Sequence, residues 1–149
     1  MQTFRFYHPI EVRYGDLDPQ GHVNNAKFLT YFEQARVHYL IHLGLFTKDQ
    51  SFLEIGIILA EARVTFLSPV NYEMQVQVGA STTRLGNKSI EMVYNLQDRH
   101  SGKEAATGSA TLVTYDYQHK KPVIIPEDWR KTIAAFENIK PPISHQEQV

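Results

Sequence analysis

The sequence contains no cysteine. That removes disulfides, a thiolate nucleophile and thiolate-ligated zinc, and it suits a reducing compartment. There is no excess of charge of either sign: 15 Lys and Arg against 16 Asp and Glu leave a net charge of −1. A broad basic face for nucleic acid is therefore excluded. No apolar run reaches the ~18 residues a membrane span needs. The N-terminus, MQTFRFYHPIEV, carries no long apolar core of a signal peptide. Internal repeats, linkers and low-complexity runs are also missing. What remains is a chain of 149 residues, 42% hydrophobic, long enough to bury a sizeable core as one domain over 1–149. The expectation is a soluble cytoplasmic protein without nucleic-acid or membrane partners.

Residue patterns predict an α+β order. Phe4, Phe6, Ile10, Val12 and Tyr14 share one parity against Thr3, Arg5, Glu11 and Arg13, which reads as a half-buried strand. From Asn24 or Asn25, either a plausible N-cap, to about Leu43 the chain reads as a helix. Phe28, Leu29, Phe32, Ala35, Tyr39, Leu40 and Leu43 give it a wide apolar face, and Gly44 would end it. Four alternating segments follow, over 57–67, 74–80, 90–96 and 106–113, with turns at Leu85–Lys88 and Asp98–Gly102. A short helix from Pro126 ends near Asn138, and the polar tail after it is expected to be flexible from about residue 139.

This order predicts a strand, a long apolar helix and a four-stranded meander. A sheet must bury one face, and the first helix is the only large apolar partner for it. An antiparallel sheet of about five strands wrapped around one central helix follows. Its open edges would be managed by pairing with a second copy, so a dimer is the expected minimal unit.

The chemistry concentrates in Tyr14-Gly-Asp-Leu-Asp-Pro-Gln-Gly-His-Val-Asn-Asn25, where two carboxylates, a His and two Asn precede the helix. The first N–H groups of a helix lack intrahelical partners and sit at the positive end of its dipole, so a loop of this kind aims them at a substrate oxygen. The run Arg13 to Asn25, followed by Phe28, Tyr31-Phe-Glu33 and Ala35-Arg36, resembles the hotdog-fold acyl-CoA thioesterases of the 4-hydroxybenzoyl-CoA thioesterase type. By element order the resemblance extends from about residue 4 to residue 137.

The resemblance implies a sheet wrapped on a central helix, protomers paired into dimers or dimers of dimers, and active sites at the protomer interface. Hydrolysis of an acyl-CoA to free acid and coenzyme A is the implied activity, with no cofactor beyond the coenzyme A of the substrate. By position, Asp18 becomes nucleophile or general base, and the Asn25 backbone N–H becomes the oxyanion donor. Asp16 reads as structural and as the fallback nucleophile. His22 either bonds Asp18 or substrate, or only holds the loop.

Glu33 and Arg36, three apart on the helix, have ion-pair spacing, with Glu33 a second-rank catalytic candidate. Arg84 and Lys88 flank a turn and are candidates for the coenzyme A phosphates, or simply solvated. His38 and His42 are four apart on the helix without the accompanying Glu of a metalloprotease pattern, so no metal is expected. The rival readings are an acyl carrier protein thioesterase, a hydratase or dehydratase of the same fold, and a non-catalytic acyl-CoA binding protein. Pocket depth would be set by Phe28, Tyr31, Phe32 and the residues from Phe52 to Leu59.

Overall fold

The computed structural model describes residues 3–47, 49, 51 and 56–140. Its elements are β1 (Tyr7–Ile10), a 3-10 turn (Tyr14–Asp16), α1 (Asn25–His42), β2 (Ile57–Phe66), β3 (Val76–Leu85), β4 (Ser89–Asp98), β5 (Glu104–Asp116), β6 (Lys121–Pro122) and α2 (Glu127–Glu137). The main sheet is antiparallel in the order β1-β3-β4-β5-β2, and β6 adds a short pairing to β5.

The helix forms where the sequence places it. Asn24 caps α1 by accepting the Ala26 N–H on Oδ1 at 2.9 Å, and Gly44 ends it at φ 75°. Phe28, Phe32, Ala35, Tyr39 and Leu40 are buried, whereas Leu29 stays 43% exposed. The helix packs on the sheet face built by Val76, Val78, Ala80, Ile90, Met92, Tyr94, Leu96, Ala106, Ala110 and Leu112, all buried. The Phe32 ring stacks on Tyr94 at 5.0 Å between centroids. Gly108 makes room for that ring, since a Cβ at this position would collide with it.

Three expectations need correction. Only Tyr7–Ile10 of the first segment is a strand. Tyr14 leaves the parity, joins the 3-10 turn and is 82% exposed. Phe4 is buried by lying over Gly79 rather than by strand alternation. Pro9 is tolerated in β1 because an edge strand has a side that needs no N–H. The four-stranded meander is also absent. Only β3, β4 and β5 follow one another, while β2 pairs with β5 at the far edge. The stretch between Phe66 and Val76 is too long for a tight hairpin, and it carries the chain across the end of the sheet instead. Third, β5 continues past residue 113 to Asp116 and turns into β6.

At the C-terminal end Asn138 adopts the left-handed conformation that stops α2. Ile139 packs on the core, and most of the tail expected to be flexible, 141–149, lies outside the described residues. No described helix is long and apolar enough to cross a membrane.

Candidate active site

The loop between β1 and α1 is built around two carboxylates that point in different directions. Asp16 is 8% exposed. Its Oδ2 accepts the Tyr31 hydroxyl at 2.7 Å and the Arg13 N–H at 3.0 Å, with Lys27 Nζ 4.0 Å from Oδ1. Burial alone would raise the Asp16 pKa; the two hydrogen bonds and the Lys27 and Arg13 charges outweigh it and hold the carboxyl below its ordinary range. The Asp16 main chain also accepts the Asn24 N–H at 2.8 Å. One residue thereby ties the 3-10 turn, the helix cap and the second turn of α1 together.

Asp18 sits in a tight turn closed by Gly21 N–H on its carbonyl at 3.0 Å, with Gly21 at φ 80°. Its Oδ1 accepts the N–H of Gln20 at 2.9 Å and of His22 at 3.2 Å. Its own N–H donates to the His22 carbonyl at 2.7 Å. Among the described residues Oδ2 has no partner. The carboxylate is thus oriented through one oxygen and open at the other. His22 holds Asp18 through its main chain, and its ring makes no hydrogen bond among the described residues.

Asn25 is the first residue of α1, and its N–H meets no acceptor among the described residues. The first turn carries no acidic side chain to neutralise the positive end of the helix. Asp18, His22, Asn25, Phe28, Phe66 and Leu67 line one cavity of ≈ 370 Å³. The structure therefore brings together three sequence-predicted residues: Asp18, His22 and Asn25. Phe66 and Leu67, about half exposed, were not singled out. Their signal was a pair of large apolar residues just before Ser68-Pro69.

Glu33 does not join that cavity. It is 3.7 Å from Arg36, the ion pair expected from their spacing, and lines a separate cavity farther along α1. Arg84 and Lys88 lie at the β3–β4 hairpin, where Ser89 pairs with Val113, whereas Phe66 pairs with Ala106. That separation along β5 is about 23 Å at strand rise, and Arg84 is engaged with Glu91 at 3.4 Å. Of the suggested pocket determinants, Phe28 reaches the cavity and Tyr31 is spent on Asp16. Phe52–Ile55 lie outside the described residues.

Residues 12–133 match the model of the family described as the Thioesterase-like superfamily. A crystallised thioesterase from Thermus thermophilus, complexed with coenzyme A and Zn, is 34% identical. The match covers 94% of this chain and 100% of that one, with a TM-score of 0.80. The 1,4-dihydroxy-2-naphthoyl-CoA thioesterase Slr0204 of Synechocystis has the same fold at 20% identity and a TM-score of 0.77, covering 87% of this chain and 95% of that one. The uncharacterized protein YsmA of Bacillus subtilis is 23% identical over 131 residues, 88% of this chain and 86% of its own length. Among the described residues no three of His, Cys, Asp and Glu are placed together to hold a metal ion.

Proposed function

The chain belongs to the thioesterase-like superfamily and is a thioester hydrolase; from that premise we propose that it cleaves an acyl-CoA to the free carboxylic acid and coenzyme A. The observation that carries this reading is the pairing, in one cavity, of a carboxylate oxygen without a partner and a helix N-terminal N–H without an acceptor among the described residues.

A thioester laid in the cavity would point its carbonyl oxygen at the Asn25 N–H. Negative charge developing on that oxygen meets a preorganised donor at the positive end of α1, an arrangement worth about 3 kcal/mol of barrier elsewhere. Asp18 then acts by one of two routes. Its free oxygen attacks the carbonyl carbon, the thiolate of coenzyme A leaves, and water hydrolyses the mixed anhydride to restore Asp18. Alternatively it takes a proton from a water that attacks directly. Both give one carboxylic acid and one coenzyme A, and neither needs a Lewis acid because a thioester carbonyl is already activated. His22 serves as the main-chain clamp on Asp18.

The site is proposed to be completed by a second copy. β2 is a ten-residue edge strand without a single buried residue, and Leu59, Phe66 and Leu67 are exposed along it and just beyond its end. An edge of this length is a template for pairing, and the Asp18 cavity opens beside it. A dimer is the minimal unit of this reading, and a dimer of dimers is compatible with it. Arg84 and Lys88 would reach coenzyme A only through such an assembly. Cytoplasmic acyl-CoA esters are the proposed setting.

The test is a panel of short, long and aromatic acyl-CoA esters, with released thiol followed by a disulfide reagent. The protein contributes no background because it has no cysteine. Thiol release above the uncatalysed rate is expected for at least one ester. Tight binding of every ester without turnover would replace the enzyme with a binding protein.

A further inference from the structure

The proposed chemistry leaves unused a cation, Arg36, that borders a second cavity. Arg36, on α1, has a side chain nine-tenths buried. Among the described residues it makes one hydrogen bond, from Nη1 to the Tyr94 hydroxyl at 3.2 Å. Its carboxylate neighbour, Glu33, stands 3.7 Å from Nη2 on a side chain that is 65% exposed. That distance is beyond a hydrogen bond, and the solvated partner compensates the charge weakly. A guanidinium offers five N–H donors. Among the described residues none of the other Arg36 donors is both buried and unpaired, so they face the adjoining cavity and are open to an oxyanion that enters it.

Arg36 borders a cavity of ≈ 110 Å³ between α1 and β2, with apolar walls from Leu29, Phe32, Leu59 and Ala62 and with Glu33 beside Arg36 in its lining. That space is large enough to admit a small group such as a carboxylate. This cavity follows the Asp18 cavity along both elements. On α1, Asn25 and Phe28 border the first, and Leu29, Thr30, Phe32, Glu33 and Arg36 the second; on β2, Phe66 borders the first, and Ala62 and Leu59 the second. The edge-to-face contact of Phe28 and Phe66, 5.1 Å between centroids, stands where the two cavities meet in sequence order. From Asn25 to Arg36 the helix rises about 16 Å.

We infer that Arg36 recognises a carboxylate at the far end of the acyl group, which makes ω-carboxyacyl-CoA esters the preferred substrate class. This rests on the thioesterase reading above. The same chemistry would admit a free dicarboxylic acid, and the experiment separates the two sources.

The values of kcat/KM are compared for an ω-carboxyacyl-CoA and the methyl-ended acyl-CoA of equal chain length. Wild type, Arg36→Gln and Glu33→Gln are used, and binding of both esters is measured by calorimetry on the same preparations. Wild type is expected to favour the ω-carboxy ester by about tenfold or more, the scale of one charge-assisted hydrogen bond. The ratio should collapse toward one in Arg36→Gln. It should rise in Glu33→Gln, which removes a competing carboxylate; a merely structural Arg36 would move neither ratio. A wild-type ratio near one, or an unchanged ratio in folded Arg36→Gln, overturns the inference. If Arg36→Gln does not fold, the direction of the ratio in Glu33→Gln decides. Competition by a free dicarboxylic acid without preference for the ω-carboxy ester would overturn the substrate assignment. If no ester is hydrolysed but the ω-carboxy ester still binds more tightly, the hydrolase reading falls and the role of Arg36 stands.

Discussion

Asp16 and Asp18 are two positions apart in one loop, yet their carboxylates live in different surroundings. Asp16 is buried and bonded to Tyr31 and Arg13. Asp18 is fixed through Oδ1 alone and opens its other oxygen to a cavity. The main chain repeats the contrast one turn on, where the Asn24 N–H is spent on Asp16 and the Asn25 N–H meets no acceptor among the described residues. Polar groups whose bonds are complete hold the loop in shape. Groups left open at a helix N-terminus are available to a substrate, and they stay available because the completed set fixes their geometry.

The sharpest way to break this contrast is to remove the open N–H without disturbing the cap. Asn25→Pro does so, since proline is favoured at the first helical position and Asn24 already has the extended conformation, φ −59° and ψ 138°, that a residue before proline needs. A loss of about 10²–10³ in kcat is expected, while Asn25→Ala, which keeps the N–H, should stay close to wild type.

Next in size is the loss of the bonded partner. Asp16→Ala leaves the Tyr31 hydroxyl and the Arg13 N–H unmet and should cost about 3 kcal/mol of unfolding free energy in a urea titration. Tyr31→Phe removes one donor only and should cost about half as much. Activity lost in Asp16→Ala without any loss of stability would erase the distinction between the two aspartates.

Acid should separate the two kinds of group more gently. The folded Asp16 pKa lies below its ordinary value, so its stabilisation is present above the unfolded carboxylate pKa of about 3.9 and is lost as pH falls through the lower folded value. A different group acts earlier. His8 stacks on His38 at 3.9 Å, and burial, aided by His38, lowers its pKa. Below about pH 6.5 the unfolded chain takes up that proton more readily, so the contribution is complete above about pH 6.5 and declines as pH drops toward the lower folded value. A falling urea midpoint between about pH 7 and pH 5 is expected. It should flatten in His8→Phe, which keeps a ring in the stack, while the Asp16 contribution stays in place.

Local signals made much of this legible in the sequence. The Asn24 cap, the apolar face of α1, Gly44 and the alternation of β3 to β5 are all written within a few residues of where they act. Asp18, His22 and Asn25 were reachable for the same reason, being one loop. Partners distant along the chain were not. Nothing near Asp16 announces Tyr31, and nothing in β2 says that it pairs with β5 across the sheet. The placement of β2 is what brings Phe66 and Leu67 to Asp18. Arg36 reads locally as one half of a helical ion pair, and only burial against Tyr94 distinguishes it from a solvated arginine.

The most direct test of the account is thiol release from the best acyl-CoA by Asp18→Asn, at a temperature where both it and wild type are fully folded. The account expects a fall of at least about a hundredfold with stability unchanged. Activity within a few-fold of wild type in that folded variant would contradict it and move the chemistry to Asp16 or Glu33.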